Sequence, residues 1–132
     1  MWRVVFSLLL LISTWSNVLQ AATALLDGRR YAIDLVASKD DPADRPPGSD
    51  FVVFTDGAGD CEQAAKTYGY SKGSYTATLA KGVVSFSFVM TSPKHGELTF
   101  KGQIKDKVIA GTRTWSKPGK GTITHNFSGK QQ

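Results

Sequence analysis

Three side chains in this sequence are of the type that does covalent or acid–base work near neutral pH: Cys61, His95 and His125. A thiol becomes a nucleophile when an imidazole within hydrogen-bond reach takes its proton and a third group orients that imidazole. Nothing in the spacing brings these three together locally. Each also has a plainer role: Cys61 as a small buried hydrophobe, His95 in a turn, and His125 as a satisfied histidine on the apolar face of a strand. They are poor metal arithmetic too, because a zinc site takes three or four well-spaced nitrogen or sulfur ligands. Asp56-Gly57-Ala58-Gly59-Asp60 offers two carboxylates around flexible glycines. A helix–loop–helix calcium site needs more oxygen ligands and a closing Glu in register, so the stretch reads as a hairpin turn. No phosphate-cradling glycine loop follows a strand and opens a helix. The expectation is a protein that is not an enzyme, with no catalytic residue, no metal and no cofactor.

Arg113 is the more informative residue. It shares one strand face with Ile109, Gly111 and Trp115. A guanidinium inside an apolar interior needs a carboxylate, backbone carbonyls or an aromatic face. It is therefore either a structural cation paired within the protein, or a cation facing an open cavity where it meets an anionic head group. The candidate ligand-binding set is Arg113, Trp115, Phe86, Phe88, Phe100 and His125. A second set, Lys94, His95, Lys117 and Lys120, lies on basic turns and would serve contact with an envelope protein or a polyanion. No nucleic acid is expected.

These residues are positioned by a run of strands from Ser74 to Gly129. Tyr75, Ala77 and Leu79 alternate with Ser74, Thr76 and Thr78, and Val84, Phe86, Phe88 and Met90 alternate with Val83, Ser85, Ser87 and Val89. Successive strand side chains point to opposite faces, so each run presents one apolar face. Leu98, Phe100 and Ile104 continue the pattern, with Gly102 at the apolar-face position between the last two, which signals a bulge or a close backbone approach. Ile123, His125 and Phe127 form the last strand. Lys81-Gly82, Thr91 to Gly96, Lys105 to Lys107 and Ser116 to Gly121 are the turns between strands. Upstream, Tyr31, Ile33 and Leu35 mark a first strand, and Phe51 to Thr55, with Val52 and Phe54 on one face, a second. Between them Lys39 to Ser49 holds three prolines, which forbid a helix interior or central strand, and is the longest loop. Cys61 to Tyr70 reads equally as a short helix ended by Gly69 or as a third strand. The fold expected is all-β: a small antiparallel up-and-down barrel of about eight strands.

Met1-Trp2-Arg3 followed by the apolar run Val4 to Trp15 reads as a secretory signal peptide over residues 1–21, leaving one domain over 22–132 and no membrane span after cleavage. Periplasmic or extracellular location follows. With Cys61 the one cysteine, no internal disulfide is available, so stability must come from packing and from closing the sheet. Charge is uneven: from Ala22 to Asp60 four Arg or Lys stand against eight Asp, and from Cys61 onward eleven stand against three acidic residues. The lysines are dispersed over separate turns, which reads as solvation of strand faces.

The order Leu26-x-Gly28, Tyr31, Asp56-Gly57, Cys61, Tyr68-Gly69-Tyr70, Tyr75, Ser92-Pro93-Lys94-His95-Gly96, Gly111-Thr112-x-x-Trp115 and Phe127-x-Gly129 resembles a group of small secreted bacterial proteins. The resemblance implies a lipocalin-like (calycin-type) β-barrel and carries over no catalytic residue. The Gly-x-Trp of lipocalins proper is absent from the first strand, which has Tyr31. Ser71-Lys72-Gly73-Ser74-Tyr75 and Thr78-Leu79-Ala80-Lys81-Gly82 are similar to loop motifs of periplasmic lysozyme inhibitors. The function expected is binding of a small apolar or amphiphilic ligand inside the barrel, with an envelope interaction or inhibitor module as the alternative.

Overall fold

The computed structural model describes residues 24–38 and 48–132. The expected signal peptide and most of the proline-rich loop from Lys39 lie outside the described residues. Eight antiparallel strands close into a barrel in chain order. They are β1 (Arg30–Ala37), β2 (Gly48–Thr55), β3 (Ala58–Cys61), β4 (Gly73–Ala80), β5 (Val83–Ser92), β6 (Gly96–Lys105), β7 (Val108–Lys117) and β8 (Gly121–Gln131). Among the described residues one helix, α1 (Glu62–Tyr68), joins β3 to β4. Closure comes from β1 pairing with β8 from Tyr31↔Gln131 to Ala37↔His125, so neither terminal strand is left as an open edge.

The alternation in the sequence is the alternation of burial. Tyr31, Ile33 and Leu35 of β1 face inward, as do Val84, Phe86, Phe88 and Met90 of β5 and Leu98, Phe100 and Ile104 of β6. Three connections at one end are two residues long: Asp56-Gly57, Lys81-Gly82 and Asp106-Lys107. The first two have positive φ at both residues, as type I′ hairpins require. This is the closed end. The other connections are longer and all emerge at the opposite end.

Four expectations are refined. Asp56 to Asp60 is not all turn: only Asp56-Gly57 reverses the chain, and β3 begins at Ala58. Gly59 belongs there because a Cβ would meet the Phe88 ring at 2.5 Å. Of the two readings of Cys61 to Tyr70 the helix ended by Gly69 is the one realised, over Glu62–Tyr68; the third strand lies before it, over Ala58–Cys61. Gly102 makes no bulge: it pairs in unbroken register with Phe86 and with Gly111. Its small size serves close approach, since a Cβ would meet the Phe86 ring at 2.9 Å. Leu79, expected on the inner face, is 58% exposed. The cause is that β3 is short and pairs with β4 at Ala58↔Ser74 and Gly59↔Gly73, so Thr76–Ala80 pair with β5 alone among the described residues.

The closed half is filled by aromatic rings. Phe54 is their hub, edge-on to Tyr75 at 5.1 Å, Phe86 at 5.3 Å, Phe88 at 5.8 Å and Tyr31 at 6.3 Å. Phe88 stacks on Phe100 at 4.5 Å. Such geometries add to the area the rings bury. Leu26, just before β1, is fully buried with them, and its backbone N–H donates to the Tyr75 hydroxyl at 3.3 Å. That hydroxyl donates to Asp27 Oδ1 at 2.7 Å, which also accepts from the Gly57 N–H at 3.0 Å.

Candidate functional site

At the other end the strands surround a cavity of about 730 Å³. It sits in the size range of small-ligand sites. Its wall comes from the last residues of β1, the first of β2, one face of α1, the β5–β6 turn and the paired ends of β7 and β8. The antiparallel register sets its layers. Lys117 stands at the rim. Below it Trp115 is the cross-strand partner of Ile123 on one side and Leu98 on the other. One step deeper Arg113 is the partner of His125 and of Phe100. The next inward pair, Gly111 and Phe127, belongs to the packed half: a Cβ on Gly111 would meet the Phe127 ring at 2.9 Å. Arg113 and His125 are therefore at the foot of the cavity, with an apolar storey above them.

Across the foot lies Asp50, only 5% exposed on the inner face of β2. It accepts hydrogen bonds from the backbone N–H groups of Phe51 at 2.7 Å, Gln63 at 2.8 Å and Ala64 at 3.3 Å. The last two are orphan donors of the first turn of α1, whose N-cap residue Cys61 makes no side-chain cap bond. A carboxylate borrowed from a distant strand thus caps the helix and fixes it over the cavity. Arg30 holds the helix from outside, reaching Glu62 with Nε at 2.9 Å and a second nitrogen at 3.0 Å while lying 3.7 Å over the Phe51 ring. The Cys61 thiol is fully buried between Asp50 and Arg113. Burial, with Asp50 adding and Arg113 opposing, pushes its pKa far up.

The rim is tied together by one backbone carbonyl. His95 O accepts from Trp115 Nε1 at 2.6 Å and from the Tyr70 hydroxyl at 3.2 Å. Ser92 Oγ donates to Tyr68 O at 3.1 Å and accepts from His95 N at 3.2 Å. The Tyr68 and His95 rings meet edge-on at 5.2 Å. These bonds hold the mouth's aromatic side chains in one arrangement.

Of the sequence-derived ligand set, Arg113, Trp115 and His125 line the cavity. Phe86, Phe88 and Phe100 do not: they are packed in the filled half, at most 4% exposed. The four residues proposed for interaction gather at the cavity end. His95 and Lys117 line the cavity, Lys94 and Lys120 sit on the flanking turns, and Lys117 Nζ donates to Lys94 O at 2.9 Å. Among the described residues the ion pair is Arg30–Glu62, and Arg113 has no carboxylate within ion-pair distance. No three His, Cys, Asp or Glu among them are grouped as around a metal ion, and no helix among them is long and apolar enough to cross a membrane.

Sequence reasoning missed Asp50, Tyr68 and Tyr70. For Asp50 the signal was present: it lies two residues before Val52 and four before Phe54, which places it on their face. A second strand that begins at Phe51 stops one residue short of it. A scan against protein-family models, a search of curated proteins and a search of solved structures each return no match to this chain. The functional reading therefore rests on the residues and their geometry.

Proposed function

We propose that this is an exported, non-enzymatic barrel protein that binds a small amphiphile in the cavity at its open end. One observation carries the reading. An arginine with no carboxylate partner among the described residues stands at the foot of a cavity whose upper wall is Leu98, Trp115 and Ile123. Leaving a cation partly buried without a partner is costly, and a ligand anion offsets that cost. The apolar wall favours the ligand's hydrocarbon part. The non-enzymatic part is supported by Cys61: a thiol that is fully buried with its pKa pushed up is the opposite of an activated nucleophile. Export is supported by the apolar N-terminal run, and kinship with small secreted lipocalin-like barrels by the ordered motifs from Leu26 to Gly129.

Native mass spectrometry of the protein purified from its own host tests this directly. The expected result is an adduct of a small amphiphile that disappears in Arg113→Ala. A clean unliganded mass from well-folded protein would overturn it. A second reading, an interaction or inhibitor module, draws support from the bond that joins the two basic turns at Lys94 and Lys117. In that case Lys94→Glu with Lys120→Glu abolishes capture of the partner while leaving any amphiphile adduct in place.

A further inference from the structure

We infer that the ligand is an amphiphile with a single-charge carboxylate head, and that it enters head first, with its apolar part toward the mouth. This rests on the amphiphile-binding reading and adds ligand class and orientation to it. The order of side chains along β7 carries the orientation. Reading inward, the cavity face of that strand presents Lys117, Trp115, Arg113 and then Gly111, where the packed half begins. The partners of Trp115 are Ile123 and Leu98, and Tyr68 of α1 lines the same cavity. The apolar storey thus lies between the mouth and Arg113. A ligand lying tail first would set hydrocarbon against Arg113, His125 and Asp50 and leave the apolar storey to its head. Head first, a carboxylate meets a guanidinium, whose fork of donors matches it in a two-point contact.

The charge limit comes from Asp50. Its carboxylate is buried near the Cys61 thiol, on which Arg113 also acts, and is held by three backbone N–H groups, so it cannot withdraw. A head with one negative charge balances Arg113. A dianionic phosphate monoester brings a second charge toward Asp50 in a site of low dielectric, where like charges repel strongly. The lysines that would compensate are at the rim or outside it. The buried Cys61 thiol interacts with both the anion that caps the helix and the Arg113 cation.

Titration calorimetry of the full chain near pH 8 with three probes of equal chain length separates the possibilities: dodecanoate, dodecyl phosphate and dodecanol. Dodecanoate is expected to bind at least about tenfold more tightly than either of the others. Arg113→Ala should bring dodecanoate down to the level of dodecanol, and Lys117→Ala at the rim should cost much less. Asp50→Asn, which keeps an oxygen for the helix N–H groups and removes the charge, should narrow the gap between dodecyl phosphate and dodecanoate. Circular dichroism confirms that each variant is folded. A larger loss in Lys117→Ala than in Arg113→Ala overturns the head-first orientation. Equal binding of all three probes overturns the head-group selectivity, and an unchanged gap in Asp50→Asn overturns the charge limit. Wild-type protein that binds none of the three removes the amphiphile reading itself.

Discussion

The two ends of this barrel are built from the same strands, yet they differ in every respect that matters for binding. At the closed end, hairpins of two residues bring the strands tightly round, and Phe54 with its neighbouring rings fills the space. At the open end the connections are longer, one carries a helix, and the inward positions hold Arg113, His125 and Asp50 in place of phenylalanines. The strand pattern is common to both, and what changes is the side chain placed at each inward position. One half supplies the stability and the other is left to spend some of it on polar groups.

Substitutions can break that division of labour. Phe54→Ala at the closed end should cost roughly 3–5 kcal/mol of unfolding free energy in urea titrations, because the cavity left by the hub cannot collapse among rigid rings. Trp115→Ala, a comparable loss of side chain at the open end, should cost much less stability and far more affinity for the amphiphile we propose, since Trp115 already borders empty space. If the two substitutions destabilise equally, the contrast between the ends fails.

Asp50→Ala sits between the extremes. It strips three N–H groups of their acceptor, and the two in α1 have no substitute on Cys61. A loss of about 2–3 kcal/mol is expected. Hydrogen exchange should quicken in Gln63 and Ala64 before it quickens in the closed half.

The pH dependence sharpens the comparison from the other side. At the closed end Asp27 is held below its ordinary value of 3.8 first by the Tyr75 hydroxyl and then by the Gly57 N–H. Folded Asp27 thus binds fewer protons than unfolded Asp27 in that range. Its contribution is complete above 3.8 and drains away as pH falls through the lowered value. Tyr75 is pushed up from 10 to about 12, first by burial and then by Asp27. Its contribution is complete below 10 and is lost as pH rises toward 12. Thermal melts from pH 2 to 12 should show both shoulders in the wild type, and Tyr75→Phe should remove the alkaline one. The smallest effect is expected from Tyr31→Phe. The Tyr31 hydroxyl is buried with no hydrogen-bond partner among the described residues, so removing it should leave stability unchanged or raise it by about 1 kcal/mol.

Much of the closed half was legible because it depends on a local rule. Alternation at Val83 to Met90 or Tyr31 to Leu35 is visible residue by residue, and Gly82 marks the turn by suiting the positive φ taken there. Arg113 was legible as an inward cation for the same reason. The open half was harder to read because its parts come from far along the chain. The cap of α1 lies on β2, and the carbonyl that gathers Tyr70 and Trp115 belongs to His95 in a turn between two other strands. Neither leaves a mark within a window of ten residues. The phenylalanines could be placed inside, but alternation alone does not say which half of the interior is full. That depends on shear, which sets Gly102 opposite Gly111 and lets the Phe86 and Phe127 rings close over that level.

The short pairing between β3 and β4 has a mechanical consequence. A ring of strands is only as continuous as its shortest junction, and here two residue pairs join neighbours where most other junctions run much longer. When the native ring opens without unfolding, it will part along that line first, leaving one open curved sheet that runs from β4 through β8 and β1 to β3. The helix beside that line is pinned to one side by Asp50 and Arg30 and joined to β5 on the other by the bond from Ser92 Oγ to Tyr68 O, so it acts as the latch of the hoop, and whatever strengthens the latch slows the breathing of the whole barrel.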